Sequence, residues 1–181
     1  MGNFRASDLR FSMRRARRDE LSELVRIDDA AGTLYAQVGI VFDFGWDHPF
    51  AKSEVARWKR TIEAGLAHVA VDTNDNLLGF ITLEMVDGAP YIHQLSVHPN
   101  SMRRGIGTAL VRRAIRWSGG RPLWLTTYSH VPWNMPYYMR RFGFAMVPEV
   151  ECGPELKAIL KSERAALPHP ECRTAMVRRT E

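Results

Sequence analysis

Residues 95–110 have the sequence Leu-Ser-Val-His-Pro-Asn-Ser-Met-Arg-Arg-Gly-Ile-Gly-Thr-Ala-Leu. An apolar strand runs into a proline, a basic turn follows, and a Gly-x-Gly opens a helix. The start of a helix carries unpaired backbone N–H groups and the positive end of the helix dipole. Gly105 and Gly107 allow a ligand to approach the backbone closely, and Arg103 and Arg104 add positive charge. The stretch therefore predicts a binding site for a phosphate or pyrophosphate group.

Two widespread phosphate-binding motifs do not fit this turn. A P-loop has Lys followed by Ser or Thr after its last glycine, whereas Thr108 and Ala109 follow Gly107. A dinucleotide-binding fingerprint has a third glycine where this chain has Leu110. It also has an acidic residue about 20 residues further on, and the segment 126–130 contains none. Both alternatives are disfavoured by the residues themselves.

The segment resembles the acyl-CoA-binding motif of the GNAT superfamily of N-acetyltransferases. The residues that carry the resemblance are Val97-His98-Pro99 at the end of the strand and Arg103-Arg104-Gly105-Ile106-Gly107 at the start of the helix. One position departs, because Met102 stands where the family usually has Gln or Arg. Most pyrophosphate contacts in the family come from the backbone, so Met102 is expected to weaken the site rather than abolish it.

A second block, residues 122–144, is similar to the cofactor segment that follows in this family. It contains an apolar strand, a loop with Asn134, a short helix and the pair Gly143-Phe144. The resemblance implies that Asn134 starts a helix beside the pantetheine arm and that Tyr138 lies near the thioester sulfur. Tyr138 is five residues before Gly143, however, and Met139 occupies the family's usual position four residues before it. A one-residue shift rotates a helical side chain by about 100°.

Composition is that of an ordinary globular protein. The chain has 181 residues, 45% of them apolar and 25% charged, and a formal net charge of +5. No apolar run is long enough for a membrane span, and the N-terminus resembles neither a signal peptide nor a myristoylation site. We therefore expect a cytoplasmic protein that forms a single domain over residues 1–181, with no membrane partner.

Several other function classes are disfavoured by what the chain contains. Its two cysteines, Cys152 and Cys172, do not make a disulfide framework, and its six histidines lack metal-ligand spacing, so no metal is expected. The basic clusters at 14–18 and 112–113 raise the question of nucleic acid. They are short and lack aromatic RNA-binding motifs, so nucleic acid is not expected as the primary partner.

The hydrophobic pattern predicts an α/β (α+β) fold with a mixed, mostly antiparallel sheet of six to seven strands flanked by helices. Turns at 74–76 and 87–88 predict antiparallel hairpins, and the Gly-x-Gly helix predicts one parallel crossover. In the family this sheet has two strands that splay apart around the CoA arm. The predicted strands are a first one through Leu9, Phe11 and Met13, then 68–72, 77–86, 91–97, 123–128 and 173–178. The predicted helices are one capped by Asp19, then 53–65, one from Gly105 to Gly119, one after Asn134 and one at 154–167.

The resemblance implies acetyl-CoA as co-substrate and a primary amine as acceptor, on a small molecule or a peptide. The residues expected at the cofactor are Leu95, Ser96, Val97, Met102, Arg103, Arg104, Gly105, Ile106, Gly107, Thr108 and Asn134. No covalent intermediate is required, so we expect the amine to attack the thioester directly, with backbone N–H groups near Leu95 and Val97 polarising the carbonyl.

Two residues are candidates for the general base. His93 lies four residues before Val97, which places both on one face of a regular strand, and histidine titrates near neutral pH. Glu84, on the neighbouring strand, would need burial to raise its pKa. A base that acts through water is a third option. Tyr138 is the candidate general acid.

The acceptor itself cannot be read from the sequence. Aromatic residues are candidates for the wall of its pocket, and Asp43 and Asp47 are candidates for attracting a cationic amine. Two rival functions stay open, a transferase for longer acyl-CoA and a non-enzymatic CoA-binding sensor. Many members of this superfamily dimerise, so a homodimer is among the expected partners. The aromatic candidates are Tyr35, Phe42, Phe44, Trp46, Trp58, Tyr128 and Trp133.

Overall fold

The computed structural model describes residues 11–45 and 47–179. Seven strands form one sheet in the order β1-β2-β3-β4-β5-β7-β6, and every neighbouring pair is antiparallel except β4 and β5. The strands are β1 Ser12–Arg15, β2 Ala67–Val71, β3 Leu77–Val86, β4 Ala89–Val97, β5 Leu123–Tyr128, β6 Ala145–Val147 and β7 Arg173–Arg178. The predicted mixed, mostly antiparallel sheet is confirmed.

Five α-helices flank the sheet: α1 Leu21–Gly32, α2 Pro49–Glu63, α3 Ile106–Ser118, α4 Met135–Phe142 and α5 Pro154–Ala166. The alternation of side chains along β3 shows which helices lie on which face of the sheet. Phe80 packs in a cluster with Leu24 of α1 and Trp58 of α2, whereas the next residue, Ile81, packs with Leu110 of α3. Tyr91 packs with Leu156 and Leu160 of α5, on the same face as α1 and α2. The sheet therefore lies between α1, α2 and α5 on one face and α3 and α4 on the other.

Two helix starts differ from the predicted ones. A 3-10 helix at Arg18–Glu20 contains Asp19, so the residue before α1 is Glu20. Helix α2 starts at Pro49, a full turn before the predicted position, because His48 precedes it and the His48 Nδ1 accepts a hydrogen bond from the Phe50 N–H at 3.2 Å. Proline is well suited to a first helical position, since its missing N–H would have no partner there. The first strand begins at Ser12, and Leu9 lies outside the described residues.

The β3–β4 turn holds α5 in place. The Asp87 carboxylate accepts hydrogen bonds from the backbone N–H groups of Glu155 at 2.9 Å and Leu156 at 3.0 Å, so it caps the helix across 68 residues of sequence. Glu155 in turn accepts from the Asp87 N–H. A Cβ at Gly153 would lie 2.3 Å from the Asp87 carboxylate, which is why a glycine precedes the helix. This contact fixes α5 against the site described below.

Within residues 11–45 and 47–179, no helix has both the length and the apolar character needed to cross a bilayer.

Candidate active site

Strands β4 and β5 part soon after they meet. They pair at Tyr91–Trp124 and Ile92–Leu125, and β4 then runs on to Val97 and β5 to Tyr128 without further pairing between them. A cavity of about 700 Å³ occupies the gap. It extends from the start of α3 to the space between α1, α2 and α5. Beyond Ile92, alternate peptide groups of β4 face this gap instead of a neighbouring strand.

The turn before α3 forms one end of the cavity. Arg103 and Gly105 both have positive φ, 60° and 81°, and α3 begins at the next residue, Ile106. Such left-handed residues turn successive backbone N–H groups toward a common point, which makes a concave anion site. A Cβ at Gly107 would meet the Tyr137 hydroxyl and Val97 Cγ2 only at 3.7 Å. Packing within the protein therefore does not require glycine at position 107. The missing side chain leaves room for a ligand.

Nearly all the residues expected at the cofactor line this cavity. They are Leu95, Ser96, Val97, Met102, Arg103, Gly105, Ile106, Gly107, Thr108 and Asn134. Arg104 lies outside the lining. Its positive charge acts on Asp72, whose pKa is lowered mainly by hydrogen bonds from Asn76 and, to a smaller extent, by Arg104.

Asn134 occupies the N-cap position of α4, but its side chain does not cap the helix. Its amide instead lies 3.1 and 3.3 Å from the Tyr35 hydroxyl. This contact ties the start of α4 to the segment that follows α1. The side chain thus forms part of the cavity wall.

The burial of Tyr138 and Met139 shows which of the two residues α4 turns toward the cavity. Tyr138 is 8% exposed and lines the cavity, whereas Met139 is 45% exposed and lies outside the lining. Burial raises the pKa of Tyr138, so its hydroxyl stays protonated at neutral pH. Tyr137 faces the other end, where its hydroxyl is 3.1 Å from Thr108 Oγ1. The two tyrosines therefore serve different parts of one cavity.

His93 is the extra residue of a β-bulge. Thr82 pairs with Gln94 and Leu83 with Ile92, which leaves His93 without a partner on β3. The bulge interrupts the alternation on which the predicted common face of His93 and Val97 depended. His93 Nε2 bonds Glu54 of α2 at 2.6 Å, while Val97 packs with the α3 cluster on the opposite face.

Both nitrogens of His93 are enclosed. Its side chain is 2% exposed, and its Nδ1 is buried with no hydrogen-bond partner among the described residues, 4.0 Å from Glu84 Oε1. Glu84 lies outside the cavity lining and forms an ion pair with Arg57, which also pairs with Glu54 at 3.2 Å. Burial opposes ionisation of Glu54, but the bonds from His93 and the charge of Arg57 outweigh it and lower its pKa. Glu54 is thus held as a carboxylate.

Asp28 is a carboxylate in the cavity wall that was not among the expected site residues. Its Oδ1 accepts hydrogen bonds from Ser96 Oγ at 2.5 Å and Gln94 Nε2 at 2.7 Å. Burial outweighs both bonds and raises the pKa of Asp28 from 3.8 to about 6. The expected cofactor residue Ser96 therefore directs its hydroxyl at Asp28.

The far wall of the cavity is aromatic. Tyr35 packs edge-on against Phe42 at 5.3 Å and Trp133 at 5.6 Å, and Phe42 packs against Phe44 at 6.3 Å. Phe50, Trp58 and Tyr128 also line the cavity, whereas Asp43 and Asp47 do not. Trp46 lies outside the described residues.

Comparison with known proteins agrees with this architecture. A family model described as "Acetyltransferase (GNAT) family" matches residues 33–144, which is more than half of the chain. The chain belongs to the GNAT acetyltransferase family. It is accordingly an acyl-CoA-dependent acetyltransferase by family, and its fold of a seven-stranded mixed sheet with flanking helices is the GNAT fold.

Solved GNAT structures superpose over most of the chain at low sequence identity. A GNAT-family acetyltransferase from Bacillus cereus is 17% identical, with a TM-score of 0.60, over 94% of this chain and 98% of that one. The PaiA N-acetyltransferase from Thermoplasma acidophilum, in complex with coenzyme A, is 14% identical, with a TM-score of 0.63, over 94% and 99%. N-acetylglutamate synthase from Neisseria gonorrhoeae, complexed with coenzyme A and N-acetyl-glutamate, is 17% identical, with a TM-score of 0.63, over 94% of this chain and 35% of that one.

Sequence reasoning missed Asp28 and Glu54 in this GNAT protein, although one signal pointed to Asp28. Asp28 lies four residues after Leu24, and residues at this spacing share a face of a helix. Because an apolar residue such as Leu24 usually faces the core from an amphipathic helix, Asp28 should face inward too. No comparable signal marks Glu54, whose role depends on the bulge at His93. In the described part of the chain, no cluster of three or more His, Cys, Asp or Glu residues could hold a metal ion.

Proposed function

We propose that the protein transfers an acetyl group from acetyl-CoA to a primary amine by direct attack of the amine on the thioester. One observation carries the proposal. A single cavity joins the anion-binding turn at Arg103–Gly107 to the carboxylate of Asp28, and it passes through the gap between β4 and β5. Such a path lets a long anionic thioester enter from one end and an amine from the other.

The cofactor end suits the pyrophosphate and pantetheine of acetyl-CoA. Backbone N–H groups at the start of α3 and the Arg103 guanidinium would hold the pyrophosphate. The peptide groups of Leu95 and Val97, on the free edge of β4, would bind the pantetheine amides and polarise the thioester carbonyl. These groups are preorganised, because β3 fixes β4 on its other side.

We assign the proton-accepting role to Asp28. A general base acts best when its pKa is close to the working pH, and Asp28, with a pKa of about 6, combines this with a position in the cavity wall. His93 also lines the cavity but is less suitable, since its Nε2 is bonded to Glu54 and its Nδ1 is buried. Glu84 is ion-paired outside the cavity. Asp28 would bind the ammonium form, take one proton from it, and leave the amine free to attack.

Tyr138 is assigned as the general acid. As the new C–N bond forms and the C–S bond breaks, the leaving thiolate takes a proton from the Tyr138 hydroxyl. The nitrogen loses its second proton as the amide forms, and this proton passes through solvent to restore the tyrosinate. The proton on Asp28 is released to solvent, so one proton ends on the CoA thiol and one is set free. The raised pKa of Tyr138 keeps its proton in place until the thiolate develops. No cysteine nucleophile is involved, since neither Cys152 nor Cys172 lines the cavity.

The test combines acetyl-CoA binding by calorimetry with thiol release in the presence of a panel of amines. We expect micromolar binding and amine-dependent release of free CoA, with an N-acetylated product of the correct mass. Binding without turnover of any amine would indicate a CoA-binding sensor. Turnover with longer acyl-CoA alone would show that the donor is a longer acyl-CoA and not acetyl-CoA. Absence of binding at millimolar acetyl-CoA would overturn the proposal.

A further inference from the structure

The cavity wall on the acceptor side has two adjoining parts of different chemistry, and their spacing is set by one helix. Asp28 and Gly32 lie four residues apart on α1, so they share a face with their Cβ positions about 6 Å apart. Asp28 lines the cavity, and Phe42 packs over Gly32, where a Cβ would lie 3.8 Å from Phe42 Cδ2. A carboxylate and an aromatic ring thus stand side by side, one helical turn apart.

The aromatic part is continuous. Phe42 contacts Tyr35 at 5.3 Å and Phe44 at 6.3 Å, and Phe44 contacts Phe50 at 6.1 Å, all edge-on. All four rings line the cavity. Aromatic walls of this kind favour an aromatic guest, because rings gain from edge-to-face contact in addition to the area they bury. Because Phe42 covers the position one helical turn from Asp28, about 6 Å away, a linker of about two carbon atoms would join a ring placed here to an ammonium group at Asp28.

The charges around Asp28 disfavour a carboxylate on the acceptor. An acid group beside the amine would face the Asp28 carboxylate at short range. Glu54 and Glu163 also line the cavity, each paired with an arginine. The buried cation of the lining, Arg173, is engaged by Glu163 at 2.8 Å and stacks on Tyr128 at 4.7 Å. These contacts hold the Arg173 guanidinium in the cavity wall, so it is not available to bind an acceptor carboxylate. The site therefore favours binding of an amine over binding of an amino acid of the same shape.

We propose that the acceptor is an arylalkylamine, in which a primary ammonium group is joined by about two carbons to an aromatic ring and no carboxylate is adjacent. This inference rests on the proposed function, since it names the substrate class of the same site. The ammonium would pair with Asp28, and the ring would rest on Phe42 and Phe44.

The test compares the kcat/KM for thiol release with four probes: phenethylamine, L-phenylalanine, n-butylamine and spermidine. We expect phenethylamine to exceed phenylalanine by about 100-fold and the two non-aromatic amines by about 10-fold. Gly32→Leu should lower kcat/KM for phenethylamine by about 10-fold, because α1 tolerates a side chain at this helical position and leucine would fill the ring site. The control is Ser22→Leu, an exposed position on the same helix, which should leave all rates unchanged.

The outcomes separate this inference from the proposed function. If phenylalanine, butylamine or spermidine equals or exceeds phenethylamine, the substrate class is wrong while acetyl transfer to an amine stands. If Gly32→Leu affects butylamine as much as phenethylamine, the ring does not bind beside Phe42. If no probe releases thiol although acetyl-CoA binds, the proposed function fails and the substrate class fails with it. Circular dichroism of both leucine variants checks that each is folded.

Discussion

The two ends of the cavity are built in different ways. The end that we propose binds phosphate is made by seven consecutive residues, 102–108, and its donors would be mainly backbone N–H groups. The acceptor end is made by side chains from α1, the segment 35–44, α2, β4, α5 and β7, which are far apart in sequence. The first end depends on a local backbone conformation, and the second depends on how the helices pack on the sheet.

This difference predicts how each end responds to substitution. A backbone site persists when side chains change, provided that the glycines and the helix start remain. A side-chain site loses a specific chemical step when one residue changes. Substitutions at the phosphate end should therefore alter affinity by modest factors, and substitutions at the acceptor end should alter turnover by large ones.

The largest effect is expected for Asp28→Asn, which removes the base but keeps the shape. We expect kcat/KM to fall by about 10³-fold, within the range that general bases contribute. In the unsubstituted protein, kcat/KM should decline below about pH 6 as Asp28 gains a proton, and this limb should be absent from the variant. Glu23→Gln makes the same charge change on α1 outside the cavity and should leave the profile unaltered. An Asp28→Asn variant with more than a tenth of normal activity would contradict the assignment.

The adjacent tyrosines allow a direct comparison of the two ends. Tyr138→Phe should lower turnover by about 100-fold and leave the Kd for acetyl-CoA within twofold, because only proton donation to the thiolate is lost. Tyr137→Phe removes the hydroxyl that contacts Thr108 at the phosphate end, so it should raise that Kd about threefold with little change in turnover. Steady-state kinetics and calorimetry on both variants provide the measurement. Equal turnover in Tyr138→Phe would remove Tyr138 from the mechanism.

A smaller effect is expected at the phosphate end itself. Arg103→Gln removes one charge-assisted contact to the pyrophosphate but leaves the backbone donors, so the Kd for acetyl-CoA should rise about 10-fold. Salt should weaken the binding of the original protein more than that of the variant. Arg112→Gln, an exposed arginine on α3 outside the cavity, is the control and should change Kd little. Identical affinities for the two variants would show that Arg103 does not bind phosphate.

The smallest expected effect is on the free energy of unfolding. Asp28→Asn should raise this free energy although it lowers activity. The pKa of Asp28 is higher in the folded than in the unfolded chain, so the folded protein binds the extra proton between about pH 4 and pH 6. Stability from this group therefore falls as the pH rises through that window. At pH 8, Asp28→Asn should be more stable than the original protein by about 1–2 kcal/mol, since no buried charge remains. Chemical denaturation at pH 5 and pH 8 measures this, and a destabilised variant at pH 8 would contradict it.

The predictability of each element follows from how local its cause is. The strands at 77–86, 123–128 and 173–178 and the helix after Gly105 follow from residues within the segment itself, and the structure has them close to the predicted bounds. The β-bulge at His93 does not follow from its neighbours, because it is a property of the pairing with β3. For the same reason, the expected alternation put His93 on the wrong face. The early start of α2 has a local cause that the prediction overlooked, since Pro49 suits a first helical position and His48 accepts hydrogen bonds from Phe50 and Lys52.

The sequence by itself determined the resemblance to the family, the sheet with its parallel crossover and the glycine turn that we propose binds phosphate. These depend on periodicity and on a glycine pattern within about sixteen residues. Only the tertiary structure decided which acidic and aromatic side chains share the cavity. Asp28 acquires its pKa from burial and from Gln94 and Ser96, which are 66 and 68 residues away in the chain. A pKa or a pocket wall depends on distances between remote segments, and those distances exist only once the helices have packed on the sheet.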